Sequence, residues 1–164
     1  MGTGARRNRK AHMARLVDTT LRTVLTAAFG LVTRRARRRR GVHAVALTPE
    51  RRIVLVRLRY APGWRLPGGG LDAGEDLERA ALRELREEIG ITVKEACLAP
   101  LTFASHAYDG FHLLMPLYIC RRWEGEVIAR EGQKLAWVRA NKLRGYPMPP
   151  ADIPLIPPLI DLLM

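Results

Sequence analysis

The segment LRELREEIG, residues 82 to 90, is the part of the chain that most constrains its fold and function. If it is helical, Glu84, Glu87 and Glu88 occupy positions i, i+3 and i+4, which puts three carboxylates on one face. Like charges at that spacing destabilise a helix by roughly 0.2–0.5 kcal/mol per pair, so the cluster needs compensation. A bound divalent cation would turn the repulsion between these carboxylates into attraction.

The flanking residues predict a glycine loop followed by a helix. The stretch APGWRLPGGG, residues 61 to 70, is dense in Pro and Gly, as loops are. Apolar residues at helical spacing then predict a helix over 75–89, and Gly90 is a natural stop at its C-terminus. Its apolar stripe comprises Leu77, Ala81, Leu82, Leu85 and Ile89. This stripe would fix the helix to a sheet and hold the carboxylates in place.

Nine positions between residues 69 and 91 form a pattern with fixed spacing. They are Gly69, Glu75, Arg83, Glu84, Leu85, Glu87, Glu88, Gly90 and Ile91. The pattern resembles, without a departure, the signature of the Nudix hydrolases: Gly, five residues, Glu, seven residues, Arg-Glu-apolar-any-Glu-Glu-any-Gly-apolar. The resemblance implies an α/β fold, a Nudix-type α/β/α sandwich with a mixed sheet.

The same resemblance implies a role for each polar residue of the pattern. Glu84, Glu87 and Glu88 are expected to be metal ligands, and Glu87 or Glu88 would also help to position the attacking water. Arg83 is expected to orient these carboxylates with support from Glu75, although it could instead form an i,i+4 surface pair with Glu87. The expected cofactor is Mg²⁺, with Mn²⁺ as an alternative, because hard cations prefer oxygen ligands. The implied reaction is metal-assisted hydrolysis of a diphosphate linkage.

Three consecutive glycines precede the helix and are expected to contact the substrate. Gly68, Gly69 and Gly70 let the backbone turn tightly and approach a ligand without obstruction by a Cβ atom. Phosphate oxygens could therefore lie close to this backbone and to the carboxylates at the same time.

The C-terminal half, residues 101–163, resembles the MutT-type branch of the family, which acts on oxidised guanine nucleotides such as 8-oxo-dGTP. The shared landmarks are Trp-Glu-Gly, Glu-Gly-Gln and Pro-Pro-Ala. By this resemblance Glu131 adds a further catalytic carboxylate to the metal site; the alternative is a surface glutamate. Asp152 stands where that branch has an Asn that contacts the purine. Its carboxylate could accept guanine N1–H and N2–H₂, or it could cap the helix that follows.

Two departures from the MutT-type branch leave the substrate open. Gly70 replaces a basic residue and Leu66 replaces an aromatic one, and the segment 56–70 resembles a different Nudix group with basic N-terminal helices. The first hypothesis is hydrolysis of a nucleoside triphosphate to a monophosphate and pyrophosphate. The second is hydrolysis of another nucleoside diphosphate derivative, such as ADP-ribose or a dinucleoside polyphosphate. The third is a non-catalytic Nudix-fold module that binds through its basic arm, against which the intact glutamates argue.

Positive charge is concentrated at the N-terminus. The chain has a formal net charge of +12, of which residues 1–40 carry +11 with one acid, Asp18. We therefore predict a basic N-terminal arm, 1–40, and a Nudix hydrolase domain, 41–164. Apolar residues at helical spacing predict an amphipathic helix over 13–33. This helix could pack on the domain or a partner, or it could contact a polyanion or a membrane surface.

The remaining features concern localisation and strand pairing. Cys97 and Cys120 show no spacing of a disulfide framework, and no apolar run reaches the ~18 residues that span a bilayer, so we expect a cytoplasmic protein. VHAVAL and IVLVRLRY predict one β-hairpin. A second hairpin is predicted around Asp109–Gly110, and KLAWVRA predicts a further strand.

Overall fold

Strands form where apolar residues alternate, and helices form where they recur every three to four residues. The computed structural model describes residues 37–164. Its elements are β1 (Arg37–Ala46), β2 (Arg52–Arg57), β3 (Gly68–Gly70), α1 (Leu77–Ile89), β4 (Leu98–Tyr108), β5 (Phe111–Cys120), β6 (Lys134–Arg139) and α2 (Ile156–Leu163). Short 3₁₀ helices span Glu95–Cys97, Ala140–Gly145 and Ile153–Leu155.

The strands form a four-stranded sheet in the order β3-β1-β5-β4 and a two-stranded sheet, β2-β6. The pairs β1–β3, β4–β5 and β2–β6 are antiparallel. The Arg39 guanidinium lies over the Phe111 ring at the start of β5, and the Leu47 N–H donates to the Cys120 carbonyl at its end. Strands β1 and β5 therefore run in the same direction, and the larger sheet is mixed as expected.

Alternate residues of each strand point into two separate cores. Val54 and Val56 of β2 pack in the core that contains α1, whereas Ile53 and Leu55 pack in the core that contains α2. Full burial of each such side chain contributes about 1.5–3 kcal/mol relative to exposure. The helices thus lie on opposite sides of the strands, and the expected α/β/α sandwich is confirmed.

Strand pairing differs from the prediction at the first hairpin. Beside the turn, the segments around β1 and β2 share a bridge between Leu47 and Ile53 and a hydrogen bond from the Thr48 N–H to the Arg52 carbonyl oxygen, but β2 pairs along its length with β6. Alternation determines which face of a strand is buried but leaves its neighbour open, so the predicted hairpin was wrong. The second hairpin is confirmed, since Tyr108 pairs with Phe111 across the predicted turn.

Helix α1 begins and ends at recognisable capping residues. The Asp76 carboxylate accepts the Arg79 backbone N–H at 2.8 Å, an N-cap contact of the kind that contributes about 1 kcal/mol. At the other end Gly90 adopts the left-handed conformation, with φ of 77°, as the predicted stop requires. These caps fix where the helix that carries the three glutamates begins and ends.

The first strand begins a few residues before Gly41, where the sequence predicts the domain to begin. Strand β1 begins at Arg37, so the last four arginines before Gly41 belong to the sheet. The predicted amphipathic helix over 13–33 lies outside the described residues. Within 37–164 no helix is long and apolar enough to cross a membrane. A truncation that removes only the arm should therefore end at residue 36.

Candidate active site

The glycine loop is held between β1 and α1 at very close range. Gly68 pairs with His43 and has φ of 145°, and a Cβ atom there would lie 2.8 Å from the His43 Cα. A Cβ atom on Gly69 would lie 2.7 Å from the Cδ atom of Glu84. Glycine is therefore required at Gly68, where the clash is with backbone atoms, while at Gly69 a side chain would displace the Glu84 carboxylate, one of the predicted metal ligands.

Arg83 is the centre of the carboxylate cluster. Its Nε and Nη2 atoms donate to the two oxygens of Glu75 at 3.0 and 2.9 Å, in a bidentate pair. Its Nη1 donates to Glu84 at 2.8 Å and to Glu87 at 3.2 Å, and its Nη2 also donates to the Gly70 carbonyl at 2.9 Å. The hydrogen bond to Glu75 raises the pKa of Arg83 and lowers the pKa of Glu75. Arg83 thus contacts Glu75, Glu84 and the i+4 residue Glu87 at the same time.

Glu88 is the most enclosed of the three predicted ligands. It is 3% exposed and accepts the Gly68 N–H at 2.9 Å and the Arg65 guanidinium at 3.1 Å. Burial raises the pKa of Glu88, while the Arg65 charge and the Gly68 N–H oppose that rise. Arg65 also donates to the Gly68 carbonyl at 2.7 Å. Sequence reasoning missed Arg65, because nothing in its local pattern shows that it reaches back to α1.

The donor chemistry of the cluster fits a hard divalent cation. Arg83 alone contacts four carboxylates, those of Glu75, Glu84, Glu87 and, at 3.6 Å, Asp72. One guanidinium cannot neutralise them, so negative charge is left beside the glycine loop. Across residues 37–164 no three acidic, His or Cys side chains already converge on one point, since guanidinium groups hold the carboxylates. Glu84, Glu87 and Glu88 are the residues that could hold such a cation, through their carboxylate oxygens.

Glu131 lies in a loop that is anchored to the end of α1. The Gln133 side-chain amide and, at 3.4 Å, the Arg130 N–H both donate to the Glu88 carbonyl oxygen. The Glu131 N–H donates to the Gln133 side-chain oxygen at 2.7 Å, while the Glu131 side chain is exposed. The structure thus ties this loop to Glu88 but does not include Glu131 in the cluster around Arg83.

A cavity of about 320 Å³ adjoins the glycine loop. Its walls include Arg39, Tyr108, Phe111 and Asp152, and the Tyr108 and Phe111 rings are stacked 4.9 Å apart. Asp152 is 2% exposed and accepts His43 Nε2 at 3.2 Å and the Leu66 N–H at 3.3 Å. Asp152 stands at the N-cap position of the following 3₁₀ helix, as the capping alternative expected, but its side chain makes no capping hydrogen bond there.

Replacing the guanidinium of Arg83 tests its role in orienting the cluster. We expect Arg83→Lys to lower kcat by about 10²-fold, because an ammonium cannot form the bidentate pair with Glu75 while also contacting Glu84 and Glu87. Steady-state hydrolysis of a nucleoside triphosphate in saturating Mg²⁺ measures the effect. Arg79→Lys, on the exposed side of α1, is the matched control. A kcat within twofold of the unmodified protein for Arg83→Lys would show that the orienting role is wrong.

Comparison with known proteins places the chain in a family. The NUDIX domain matches residues 37–159, which is most of the chain, so the protein belongs to the Nudix family and is a Nudix hydrolase. Among solved structures, MutT from a study of Aliivibrio salmonicida and Vibrio cholerae aligns with a TM-score of 0.64 and 30% identity. That alignment covers 77% of this chain and 99% of the MutT chain.

Particular relatives are nucleotide pyrophosphohydrolases. The chain is 37% identical over 109 residues to the 8-oxo-dGTP diphosphatase of Haemophilus influenzae, covering 62% of this chain and 74% of that protein. It is 36% identical over 90 residues to the Escherichia coli 8-oxo-dGTP diphosphatase, covering 55% and 68%. The Escherichia coli CTP pyrophosphohydrolase is 35% identical over 95 residues, covering 57% and 67%. The MutT-type resemblance of the sequence is therefore confirmed.

Proposed function

We propose that this Nudix hydrolase cleaves a guanine nucleoside triphosphate, such as 8-oxo-dGTP or dGTP, to the monophosphate and pyrophosphate in the presence of Mg²⁺. The observation that carries the proposal is the adjacency of two features. A carboxylate cluster centred on Arg83 lies on one side of the glycine loop, and a cavity lined by aromatic rings and Asp152 lies on the other. A nucleotide could place its phosphates at the first and its base in the second.

The residues of the cluster would have different roles in hydrolysis. Glu84, Glu87 and Glu88 would hold the cation, and Arg83 would keep the first two aligned through its contacts with both. When bound, Mg²⁺ supplies charge neutralisation on the phosphate oxygens and a lowered pKa for coordinated water. Gly69 keeps the loop backbone against Glu84, and the space beside Gly70, where a Cβ atom would meet nothing within 4 Å, is open to a phosphate chain.

Glu131 would complete the cluster from the opposite loop. Its anchoring through Gln133 to the Glu88 carbonyl brings its backbone to the carboxyl end of α1. Its exposed carboxylate is then available to a cation or to a water molecule when substrate is present. We propose Glu131 as the further catalytic carboxylate on these grounds.

Base recognition would come from the cavity. The stacked rings of Tyr108 and Phe111 offer an aromatic wall for a purine, and the Arg39 guanidinium lies 4.7 Å from the Phe111 ring centre. Leu66, which replaces an aromatic residue, is buried in the core and contributes its N–H to Asp152. The departure at Leu66 is therefore compatible with an aromatic cavity, because other residues supply the rings.

A pyrimidine nucleotide is the second candidate, and the observation that favours it is the similarity to the CTP pyrophosphohydrolase. Gly70 is also exposed where the MutT-type branch has a basic residue, so this chain departs from that branch beside the cavity. Hydrolysis of ADP-ribose or of dinucleoside polyphosphates has no comparable support from the cavity.

A hydrolysis screen in Mg²⁺ tests the proposal. The substrates are 8-oxo-dGTP, dGTP, dATP, CTP, ADP-ribose and a dinucleoside polyphosphate, compared by kcat/KM with Glu87→Gln as the inactive control. We expect guanine nucleotides to exceed the others by about 10²-fold, since mismatched hydrogen-bonding groups in a buried site are penalised strongly.

Each other outcome of the screen contradicts the proposal in a distinct way. Preference for CTP would indicate that the protein hydrolyses a pyrimidine nucleotide by the same metal-assisted reaction. Preference for ADP-ribose or a dinucleoside polyphosphate would identify a different diphosphate linkage. A folded protein that hydrolyses none of them would favour the non-catalytic module acting through the basic arm.

A further inference from the structure

His43 is a buried histidine whose two ring nitrogens both contact protein groups. It lies on β1 and is 5% exposed. Its Nδ1 atom is 3.0 Å from the Pro67 carbonyl oxygen, and its Nε2 atom is 3.2 Å from Asp152 Oδ1. Sequence analysis did not select His43, because its spacing from the other histidines carries no signal.

The partners of His43 fix how many protons the pair with Asp152 must hold. A carbonyl oxygen only accepts, so Nδ1 carries a proton that it donates to Pro67. Nε2 and the carboxylate oxygen can form a hydrogen bond only if a second proton lies between them. The Leu66 N–H donates to the other oxygen of Asp152. The contacts therefore require two protons on the pair, one on Nδ1 and one between Nε2 and Asp152 Oδ1.

We propose that His43 is a positioning residue that keeps Asp152 aligned as the acceptor for the Watson–Crick edge of guanine. This inference rests on the proposed function and explains how the hydrolase would select guanine. Each Asp152 oxygen uses one lone pair on His43 or Leu66 and retains another for a ligand. Two adjacent acceptors match the N1–H and N2–H₂ donors of guanine.

The same arrangement disfavours the other bases. Adenine and cytosine present a ring-nitrogen acceptor beside their amino group, and that acceptor would face a carboxylate lone pair. The Asn of the MutT-type branch offers one donor and one acceptor, which is a different pattern. The His43–Asp152 pair would therefore give this chain its own basis for discriminating bases.

A pH dependence follows from the shared proton. Burial lowers the pKa of His43, but the charge and hydrogen bond of Asp152 outweigh burial, so the net pKa is raised above its ordinary value. Arg65 opposes protonation of His43, and the buried Glu88 favours it. Once the proton is lost, the Nε2 lone pair faces Asp152 and repels it. Guanine binding should therefore be strong below the raised pKa and weaken above it.

Binding of nucleoside monophosphates to the full chain tests this role without requiring turnover. Dissociation constants for dGMP, dAMP and dCMP are measured without metal at about pH 6 and about pH 9, on either side of the histidine range. The variants are His43→Gln and Asp152→Asn, with His112→Gln on the β4–β5 hairpin as the matched control. Nitrogen-15 NMR of His43 in the unmodified protein reports its protonation directly.

We expect dGMP to bind about tenfold more weakly at the higher pH in the unmodified protein and in His112→Gln. His43→Gln and Asp152→Asn should lose that extra pH dependence and most of the preference for dGMP over dAMP. Deprotonation of dGMP at N1 would also weaken its binding to an intact Asp152, so His43→Gln, which keeps Asp152 but lacks the imidazole, separates that effect from the titration of His43. NMR should show both ring nitrogens of His43 protonated at the lower pH.

Several results would overturn the proposal. One is an identical pH dependence of dGMP binding in the unmodified protein and Asp152→Asn; another is equal affinity for dGMP and dAMP. A His43 that carries a single proton at the lower pH would also exclude it, even if His43→Gln failed to fold. Absent hydrolysis with intact dGMP selectivity would refute the proposed reaction and leave this role supported.

Discussion

Glu88→Gln is expected to lower kcat for Mg²⁺-dependent nucleotide hydrolysis by about 10³-fold, within the range that a catalytic carboxylate contributes. The amide oxygen can still accept the Gly68 N–H, so the loop keeps its anchor, but the negative charge beside the glycine loop is reduced. Cation binding should weaken for the same reason, because the carboxylate is among the hard oxygen ligands of the cluster. The rate in saturating Mg²⁺ and the Mg²⁺ titration curve measure these two effects separately.

Glu78→Gln is the matched control for that experiment. Glu78 is on the same helix but accepts the Tyr118 hydroxyl at 2.7 Å, away from Arg83 and the glycine loop. The Glu78→Gln substitution removes the same charge as Glu88→Gln and should leave kcat within about twofold of the unmodified protein, as substitutions away from the site usually do. Near-normal turnover by folded Glu88→Gln would contradict the assignment of Glu88 to the site.

Gly68→Ala is expected to destabilise the fold by about 3 kcal/mol or more. An added Cβ would collide with the Val42 carbonyl and lie 2.8 Å from the His43 Cα, and these backbone atoms belong to the strand that pairs with the loop. The φ of 145° adds strain for any residue with a side chain. Thermal or urea unfolding would show the loss as a lower midpoint.

Gly145→Ala provides the comparison for the unfolding experiment. Gly145 ends a 3₁₀ helix, and a Cβ there meets nothing within 4 Å. Its free energy of unfolding should change by no more than about 0.5 kcal/mol, as expected of a surface substitution, so its unfolding midpoint should stay close to that of the unmodified protein. If Gly68→Ala unfolded at the same midpoint as Gly145→Ala, the close contact between the loop and β1 would be excluded.

The centre of the site could be predicted from the sequence because its residues lie on one helix. Helical periodicity alone puts Glu84, Glu87 and Glu88 on one face, and the bounds of α1 differ from the prediction by only two residues at its start. Arg83 is close to its partners along the chain, so the predicted orienting contacts and the surface pair with Glu87 were both accessible to sequence reasoning.

Contacts between distant segments could not be predicted in the same way. Arg65 reaches Glu88 across 23 residues, and His43 reaches Asp152 across 109. Neither pair has a local spacing, because the contact depends on which strands become neighbours. The pairing of β2 with β6 was missed for the same reason, since alternation specifies the buried face and not the partner.

The most direct test of the account is phosphorus NMR of the products formed from dGTP in Mg²⁺. The account predicts equal amounts of dGMP and pyrophosphate from the unmodified protein, and about 10³-fold slower formation of both by Glu88→Gln under the same conditions. Release of inorganic phosphate with dGDP, or product formation by Glu88→Gln at the unmodified rate, would contradict the claim that the Arg83-centred carboxylates catalyse hydrolysis to a monophosphate and pyrophosphate.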